Sequence, residues 1–255
     1  MLSSKRILEI IYNQMPLIQI MIDAIGHRGA AAYEPENTLR SFRQAISMGA
    51  TSIELDVHIS LDNEIIVIHD SSVDRTTNGS GYVSSMTLEE LKALDAGKGE
   101  HIPTLKEVID LAYGRAYIQV ELKDISAEGP VVEMLRGYNH AEFFLISFWH
   151  SALLRAKRRL PGIKTGVLTE GLPVDPLYLV RSADADRLAI SQHTIDKGTV
   201  DVLHRGGKSV SVWVADEIRD IKNAISLGVD AIASNKPDVL VRAIKESGAG
   251  LLVHN

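Results

Sequence analysis

Short apolar runs recur along the chain and alternate with longer segments whose apolar residues are spaced as on one face of a helix. Nine runs have the length and composition of buried strands. They are residues 21–27, 51–57, 64–69, 116–122, 142–147, 163–168, 186–191, 208–214 and 230–234. The helical segments between them include 38–48, 104–113, 149–159, 216–227 and 237–246. This alternation predicts an α/β fold with a mostly parallel sheet covered by helices.

The number of strand–helix units decides between two parallel architectures. About eight units in a chain of 255 residues favour a closed barrel over an open doubly wound sheet. No G-x-G-x-x-G follows the first strand, which weakens a dinucleotide-binding interpretation. We therefore predict a TIM (β/α)8 barrel over residues 22–255.

Two stretches depart from the barrel rhythm. Residues 70–103 are rich in Ser, Thr, Gly and Asp, with one short helical pattern near 87–94, and predict a small inserted subdomain that shapes access to the barrel mouth. Residues 1–21 carry Lys5 and Arg6 before apolar residues, as a signal peptide does, but Glu9 and other polar residues interrupt the apolar core. We predict an N-terminal helical extension there, with a membrane-surface helix as the weaker alternative.

Net charge and cysteine content limit the kinds of partner and the cellular location that the chain is expected to have. The formal net charge is -6 and no block of basic residues occurs, which argues against a nucleic-acid groove. The chain has no cysteine, so disulfides and thiolate chemistry are excluded and a cytoplasmic location is favoured. No segment is apolar enough for stable membrane insertion. Assembly into a homo-oligomer is possible on these grounds.

Polar side chains follow the alternation of two predicted strands. Glu54, Asp56 and His58 share one face of the second strand, and Glu121 and Lys123 share one face of the fourth. The opposite, apolar faces should meet the helices, which places these polar faces inside the barrel. Carboxylates gathered there must protonate or bind cations. Oxygen ligands favour one hard divalent cation, Mg²⁺ or Ca²⁺.

The stretch HRGAAAYEPENT, residues 27–38, directly follows the first predicted strand. His27 and His69 each end a strand, and two histidines can act as base and acid on either side of a scissile bond. Arg28 offers a planar fork suited to phosphate oxygens. Gly26 and Gly29 are expected to let the backbone approach the substrate. Together with the carboxylates, these residues predict metal-assisted hydrolysis of a phosphate ester.

Simpler interpretations remain for single residues. Glu54 and Asp56 could pair with Arg or Lys inside the barrel. Lys123 could be an ion-pair partner of Glu121, or a Schiff-base nucleophile in an aldolase or isomerase. A barrel that binds a phosphorylated ligand without turnover is the non-enzymatic alternative.

The polar residues beside these candidates also have structural interpretations. Glu36 and Asn37 could cap the following helix, which Thr38 opens. Asp70 could only orient His69 or cap a turn. His58 is interpreted as structural, since no partner pattern is evident for it.

The motifs taken together resemble the glycerophosphodiester phosphodiesterase family. The matching stretches occur in the family's order over about residues 22–239. They are HRGAAAYEPENT, GATSIELDVHISLDNEIIVIHD, VDRTTNGSGYVSSMTLEELKALDAG, IPTLKEV, VELK, SF at 147–148, VSVWVAD and GVDAIASNKPD. The resemblance implies a TIM barrel with an insertion at about 70–103. It also implies hydrolysis of glycerophosphodiesters, such as glycerophosphocholine or glycerophosphoethanolamine, to sn-glycerol 3-phosphate and an alcohol.

The resemblance also implies roles for individual residues. His27 and His69 correspond to the acid/base pair, while Glu54, Asp56 and Glu121 correspond to the metal ligands. Arg28 and Lys123 correspond to phosphate contacts, and Trp213 to the glycerol side of the pocket. Attack by water and attack by the neighbouring glycerol hydroxyl both stay open. A lysophospholipase D in the same fold is the nearest alternative, favoured if the N-terminal segment docks on membranes.

Two short motifs depart from the family pattern. Residues 213–216 read WVAD where the family often has WTVN, and residues 234–237 read SNKP where it has TD-x-P. Both are expected near the rim of the pocket. We therefore expect them to alter the preference for the alcohol more than the chemistry.

Overall fold

The computed structural model describes residues 20–253. The predicted helical extension over 1–21 lies outside these residues except for its last two positions, and Met21 already opens the first strand. Within the described range, no helix is both long enough and apolar enough to cross a membrane.

Ten strands form one sheet among the described residues. They are β1 (Met21–Gly26), β2 (Ser52–Ile59), β3 (Ile65–Val67), β4 (Tyr117–Leu122), β5 (Phe143–Ser147), β6 (Lys164–Thr169), β7 (Arg187–Ser191), β8 (Ser209–Trp213), β9 (Ala231–Ser234) and β10 (Gly250–Leu251). All except β3 and β10 are parallel members of a closed barrel, because β1 pairs with both β9 and β2. The predicted TIM barrel is confirmed.

Helices cover the barrel from outside. Within residues 20–253 the α-helices are α1 (Leu39–Ser47), α2 (Leu88–Lys92), α3 (Leu105–Ala112), α4 (Glu128–Leu135), α5 (His150–Arg159), α6 (Pro176–Ser182), α7 (Lys197–Arg205), α8 (Ile218–Leu227) and α9 (Pro237–Glu246). Short 3₁₀ turns occupy Val83–Ser85, Ile125–Ala127 and His140–Glu142. The five predicted helices are present, α9 with the predicted bounds and the other four shorter by one or two residues at one or both ends. The patterns of α4, α6 and α7 were not among those segments.

β3 and β10 lie outside the barrel. β3 runs antiparallel to β2, with Val57 opposite Val67, and β10 extends the edge of β1. The nine apolar runs therefore supply eight barrel strands and one hairpin strand. An apolar run indicates burial, but it carries no information about strand direction.

The alternation on β2 builds the wall of the barrel. Ile53, Leu55 and Val57 are fully buried in the main core between sheet and helices. Glu54 and Asp56 alternate with them and therefore point to the barrel interior. On β4, Glu121 pairs in register with Asp56, which brings carboxylates of two strands to the same height.

The predicted insertion is a small subdomain within the second strand–helix unit. It has an apolar cluster of its own, which includes Val73, Val83 and Leu91 and packs against Ile66 of β3. Its helix α2 lies inside the predicted 87–94 and begins with a capping box between Thr87 and Glu90.

Candidate active site

The carboxyl ends of the barrel strands surround a cavity of ≈ 340 Å³. His27 and Arg28 directly follow β1, Glu54 lies on β2, Glu121 lies on β4, and Lys123 follows β4. All of the predicted site residues except Asp56 line this cavity, namely His27, Arg28, Glu54, His69, Glu121, Lys123 and Trp213. Asp56 contacts Arg28 and Lys123 from below. The fold thus brings the whole predicted set together.

Three buried carboxylates form the acidic part of the site. Oxygens of Glu54, Asp56 and Glu121 lie within 4.8 Å of one another, and these residues are only 2%, 0% and 9% exposed. Burial, followed by the charges of Asp56 and Glu121, raises the pKa of Glu54 well above its ordinary value. Burial and the charge of Asp56 raise the pKa of Glu121 to about 7. The cluster therefore holds more negative charge than it can stabilise alone.

Two cations compensate part of this charge. The Nε atom of Arg28 lies 3.2 Å from Oδ2 of Asp56, and Nζ of Lys123 lies 2.8 Å from Oε1 of Glu121 and 3.6 Å from Oδ1 of Asp56. Although burial alone would raise it, the pKa of Asp56 is held below its ordinary value by Arg28 and Lys123. The two carboxylates beside Lys123 stabilise its charged form, whereas a Schiff-base lysine must be neutral to react.

Two oxygens of the acidic cluster accept no hydrogen bond within the described residues. Oε1 of Glu54 and Oδ1 of Asp56 are buried and accept no hydrogen bond from the described residues. Buried, unpaired carboxylate oxygens are costly unless a ligand satisfies them. An all-oxygen set of three acidic side chains suits a hard divalent cation. The residues therefore fit the metal that the sequence predicts.

His27 is held at one ring nitrogen and faces the acidic cluster with the other. Its Nδ1 lies 2.8 Å from Oδ1 of Asn235, and its Nε2 lies 3.9 Å from Oε2 of Glu54. Burial, assisted by the charge of Arg28, lowers the pKa of His27 below its ordinary value. The ring is therefore neutral at neutral pH and can accept a proton.

His69 has a carboxylate partner instead. Its Nδ1 lies 2.6 Å from Oδ1 of Asp70, which in turn accepts two hydrogen bonds from Arg75 in the inserted subdomain, at 2.7 and 3.0 Å. Partial burial lowers the pKa of His69 despite the neighbouring carboxylates. The interpretation that Asp70 orients His69 agrees with this contact.

Glu36 and Asn37 do not cap the following helix, contrary to one of the expectations above. The N-cap of α1 is Thr38, whose side chain accepts from the backbone N–H of Ser41. Glu36 instead accepts hydrogen bonds from Arg28 and Arg75. Asn37 donates from Nδ2 to Oδ2 of Asp56 at 2.8 Å. Both side chains belong to the site because the loop folds back over the barrel mouth.

The structure gives the two glycines a reason within the fold. A Cβ on Gly26 would come within 2.8 Å of the Ala45 side chain, and one on Gly29 within 2.4 Å of Ser41 Oγ. Gly29 further has a φ of +85°, which side chains rarely adopt. The glycines are needed for close packing of the loop against α1.

Sequence reasoning missed the partners of His58. This residue is buried on β2, and its Nε2 lies 3.1 Å from the backbone oxygen of His69 while its Nδ1 lies 3.2 Å from Oδ2 of Asp124. The available signal was its place on the same strand face as Glu54 and Asp56. Its contacts support the backbone at His69, in agreement with a structural role.

The two motifs that depart from the family pattern lie only partly at the cavity, because Trp213 and Val214 line it whereas Asp216 and Asn235 do not. Asn235 instead hydrogen bonds the ring of His27. Asp216 accepts three hydrogen bonds from the Ser234–Asn235 segment. The departures from the family pattern therefore concern both the cavity wall, at Val214, and the support of His27, at Asn235.

One wall of the cavity is aromatic. The rings of Phe148 and Trp213 are perpendicular, with centroids 6.0 Å apart. Leu168 and Glu170 continue this wall and also line a neighbouring open groove with His150. The wall is apolar with one carboxylate at its edge, and it lies on the side of the cavity away from β2.

Comparisons with known proteins agree with this geometry. A profile described as the glycerophosphoryl diester phosphodiesterase family matches residues 27–239. A glycerophosphodiester phosphodiesterase of Caldanaerobacter subterraneus subsp. tengcongensis is 35% identical over 238 residues, which cover 88% of this chain and 98% of that protein.

Solved structures show the same similarity. A phosphodiesterase of Oleispira antarctica, in complex with the product sn-glycerol-3-phosphate, superposes with a TM-score of 0.82 at 30% identity, covering 92% of this chain and 98% of that one. A glycerophosphodiester phosphodiesterase of Agrobacterium tumefaciens superposes with a TM-score of 0.76 at 28% identity, covering 87% and 100%. With its profile match and its 35% identical relative, the chain belongs to the glycerophosphoryl diester phosphodiesterase family.

Proposed function

We propose that this chain hydrolyses glycerophosphodiesters to sn-glycerol 3-phosphate and an alcohol. The observation that carries the proposal is the buried cluster of Glu54, Asp56 and Glu121, which lies beside two histidines at the barrel mouth. Family membership and the product bound to the Oleispira antarctica neighbour support a small phosphorylated substrate. We place the reaction in the cytoplasm, as the cysteine-free composition favours.

Glu54, Asp56 and Glu121 are the residues that would hold one divalent cation, Mg²⁺ or Ca²⁺. Such an ion supplies positive charge that polarises the phosphate and offsets the carboxylates. Arg28 and Lys123 line the same cavity and are suited to bind the remaining phosphate oxygens.

The histidines would divide the proton transfers. His27 is neutral and buried, so its Nε2 accepts the proton of the nucleophile while the nucleophile's oxygen bonds to phosphorus. The bond from phosphorus to the alcohol oxygen breaks, and His69 donates a proton to that oxygen in the fraction of molecules in which its ring is protonated beside Asp70. Asp70 stabilises the protonated His69 ring between these events. Water and the neighbouring glycerol hydroxyl both fit as nucleophile, and rapid-quench trapping of a cyclic phosphate distinguishes them.

The aromatic wall favours alcohols with a positive charge. Phe148 and Trp213 offer ring faces to an ammonium group, and Glu170 adds a carboxylate at the entrance. Choline and ethanolamine both carry such a group. We expect glycerophosphocholine to have a lower KM than glycerophosphoglycerol, and Glu170→Gln to reduce that difference.

The experiment that tests the proposal measures glycerol 3-phosphate release from glycerophosphocholine. Purified protein is assayed as prepared, after EDTA treatment, and after re-addition of Mg²⁺ or Ca²⁺. We expect loss of activity with EDTA and recovery with one of the two ions. Activity that is unchanged by complete metal removal would contradict the metal requirement, and absence of product under every condition would contradict the reaction.

Lysophospholipid hydrolysis is a second candidate because apolar side chains are exposed beside the site. Phe148 and Trp149 follow β5, and Leu172 and Val174 follow β6, so all four lie at the cavity end of the barrel. They offer a surface for an acyl chain. Choline release from lysophosphatidylcholine at rates comparable with glycerophosphocholine would favour this activity, and exclusive use of the deacylated substrate would eliminate it.

A further inference from the structure

His27 is supported by a pair of residues that the catalytic scheme above does not use. Asn235 lies directly after β9 and Asp216 shortly after β8. Asn235 contacts Nδ1 of His27 at 2.8 Å, and Asp216 contacts Asn235. Neither residue lines the cavity, so neither is placed to touch substrate.

The hydrogen bonds to Asp216 determine which way the Asn235 amide points. The Asp216 carboxylate accepts from Nδ2 of Asn235 at 2.7 Å, from the Asn235 backbone N–H at 2.7 Å and from Oγ of Ser234 at 2.9 Å. An ionised carboxylate can only accept, so the NH₂ of Asn235 must face it. The amide oxygen of Asn235 therefore faces His27.

The amide orientation in turn determines the tautomer of His27. Oδ1 of Asn235 can only accept, so Nδ1 of His27 must carry the proton. In a neutral imidazole the other nitrogen then has the free lone pair. That nitrogen is Nε2, the atom that lies 3.9 Å from Glu54 on the cavity side.

We propose that Asp216 and Asn235 are positioning residues that hold His27 in the tautomer protonated at Nδ1, so that Nε2 is the proton acceptor. The role of Nε2 as acceptor rests on the proposed function. The tautomer itself does not, because it follows from the hydrogen bonds alone.

The two residue types could be exchanged without changing this tautomer. An Asp at 235 would also accept from Nδ1 of His27, and an Asn at 216 could donate to it. Both orders therefore select the same tautomer, whereas Asp at both positions places two carboxylates side by side. The pair should function only as a matched couple.

The first test reads the tautomer directly, independently of activity. The full-length protein is labelled with ¹⁵N-histidine, and the His27 signals are assigned with His27→Gln. Above neutral pH we expect a protonated Nδ1 and an unprotonated Nε2, and a shift towards the opposite tautomer in Asp216→Asn, because its amide no longer orients Asn235. A wild-type ring protonated at Nε2, or an unchanged tautomer in the variant, would overturn the proposal.

The second test is a double-mutant cycle on the same pair. We expect Asp216→Asn and Asn235→Asp each to lower kcat on the order of 10–100-fold with KM within about twofold, as for other groups that orient a functional histidine. The double variant should recover to within a few-fold of wild type. Asp201→Asn, on exposed α7, is the matched control for a lost carboxylate and should be unchanged.

The cycle also separates positioning from folding. Unfolding midpoints of all variants are measured in denaturant, and kcat is expressed per folded molecule. Losses that simply add in the double variant would overturn the matched couple. If wild type released no product at all, the proposed function would fail, while the NMR measurement would still decide the tautomer.

Discussion

The barrel contains two buried clusters of charge, one at each end, and they differ in how completely they are paired. At the amino ends of the strands, Asp23 on β1 accepts hydrogen bonds from Thr51 and Ser52 at 2.8 and 2.5 Å. Arg187 on β7 lies 4.0 Å from Asp23 and packs its guanidinium 4.2 Å above the Phe144 ring. Every side-chain polar atom of Asp23 and Arg187 that is fully buried has a partner within the described residues.

The cluster at the carboxyl ends is equally buried but incompletely paired. Within the described part of the chain, Glu54 and Asp56 each have one buried oxygen that accepts no hydrogen bond, and Nε of Arg28 donates none. Buried charges that satisfy one another are a structural element, whereas buried charges with unpaired atoms require a ligand. The contrast predicts that the amino-end cluster determines stability and the carboxyl-end cluster determines activity.

The largest expected effect is on the rate at the carboxyl end. His27→Gln and His69→Gln should each lower kcat about 10²–10⁴-fold, since each removes a proton-transfer group, and should change unfolding midpoints little. Steady-state kinetics with glycerophosphocholine and denaturant unfolding measure both quantities. His204→Gln, an exposed histidine paired with Asp230, is the control. Full activity in either site variant would contradict its catalytic role.

The next effect is on stability at the amino end. Arg187→Met should destabilise the protein by about 3–5 kcal/mol, because it leaves Asp23 buried without its cation. The rate per folded molecule should stay close to wild type. Urea unfolding and kinetics at low temperature test this, and Asp23→Asn added to Arg187→Met should recover part of the loss. A rate that falls as steeply as the stability would remove the distinction between the two clusters.

A smaller effect should appear in the pH dependence of stability without metal. The pKa of Glu121 is about 7 in the folded protein and ordinarily 4.5, so between these values the folded state binds more protons than the unfolded state. Stability in EDTA therefore falls as pH rises through this window, by about 1–3 kcal/mol from this group.

The variant Glu121→Gln isolates that contribution. The pKa values of His27 and His69 are lowered, so these residues make the protein more stable as pH rises near neutrality. The prediction therefore concerns the difference in pH dependence between wild type and Glu121→Gln. Glu121→Gln should flatten the decline between pH 5 and pH 8, because this range covers most of the window between the two pKa values. Glu64→Gln on the surface is the matched control. An identical decline in wild type and Glu121→Gln would contradict the prediction.

The smallest effect concerns the link between the inserted subdomain and the site. Arg75→Gln should lower kcat about tenfold, roughly 1.4 kcal/mol, because Asp70 and Glu36 both lose its hydrogen bonds. Its side chain is 47% exposed, so stability should change by less than about 1 kcal/mol. Arg136→Gln, 46% exposed and paired with Glu133, is the control. Equal rates for Arg75→Gln and wild type would argue against this link.

The sequence predicted those parts of the molecule that depend on short-range patterns. The alternation in β2 correctly placed Glu54 and Asp56 inside the barrel, and the same reasoning on β4 placed Glu121 opposite them. The antiparallel direction of β3 was not predictable, because its run of apolar residues is compatible with either a hairpin strand or a parallel barrel strand.

Contacts between distant segments could not be predicted from one sequence. Asn235 meets His27 across 208 positions, and the polar pattern near either residue gives no sign of the other. Arg75 likewise joins Glu36 and Asp70 only after the insertion has folded over the loop that follows β1. The steric need for Gly29 depends on the close approach of Ser41, which is also a property of the assembled fold.

The two ends of the insertion meet where it leaves and rejoins the barrel. The N–H of Val67 donates to the carbonyl of Pro103 at 2.8 Å, and Ile66 bridges Thr104. The segment between them is thus a loop whose two ends are held together by hydrogen bonds. Doubling the length of such a loop costs only about 0.6 kcal/mol of closure entropy. Relatives could therefore lengthen, shorten or exchange this segment, and with it the shape of the entrance, while leaving the barrel's hydrogen bonds intact.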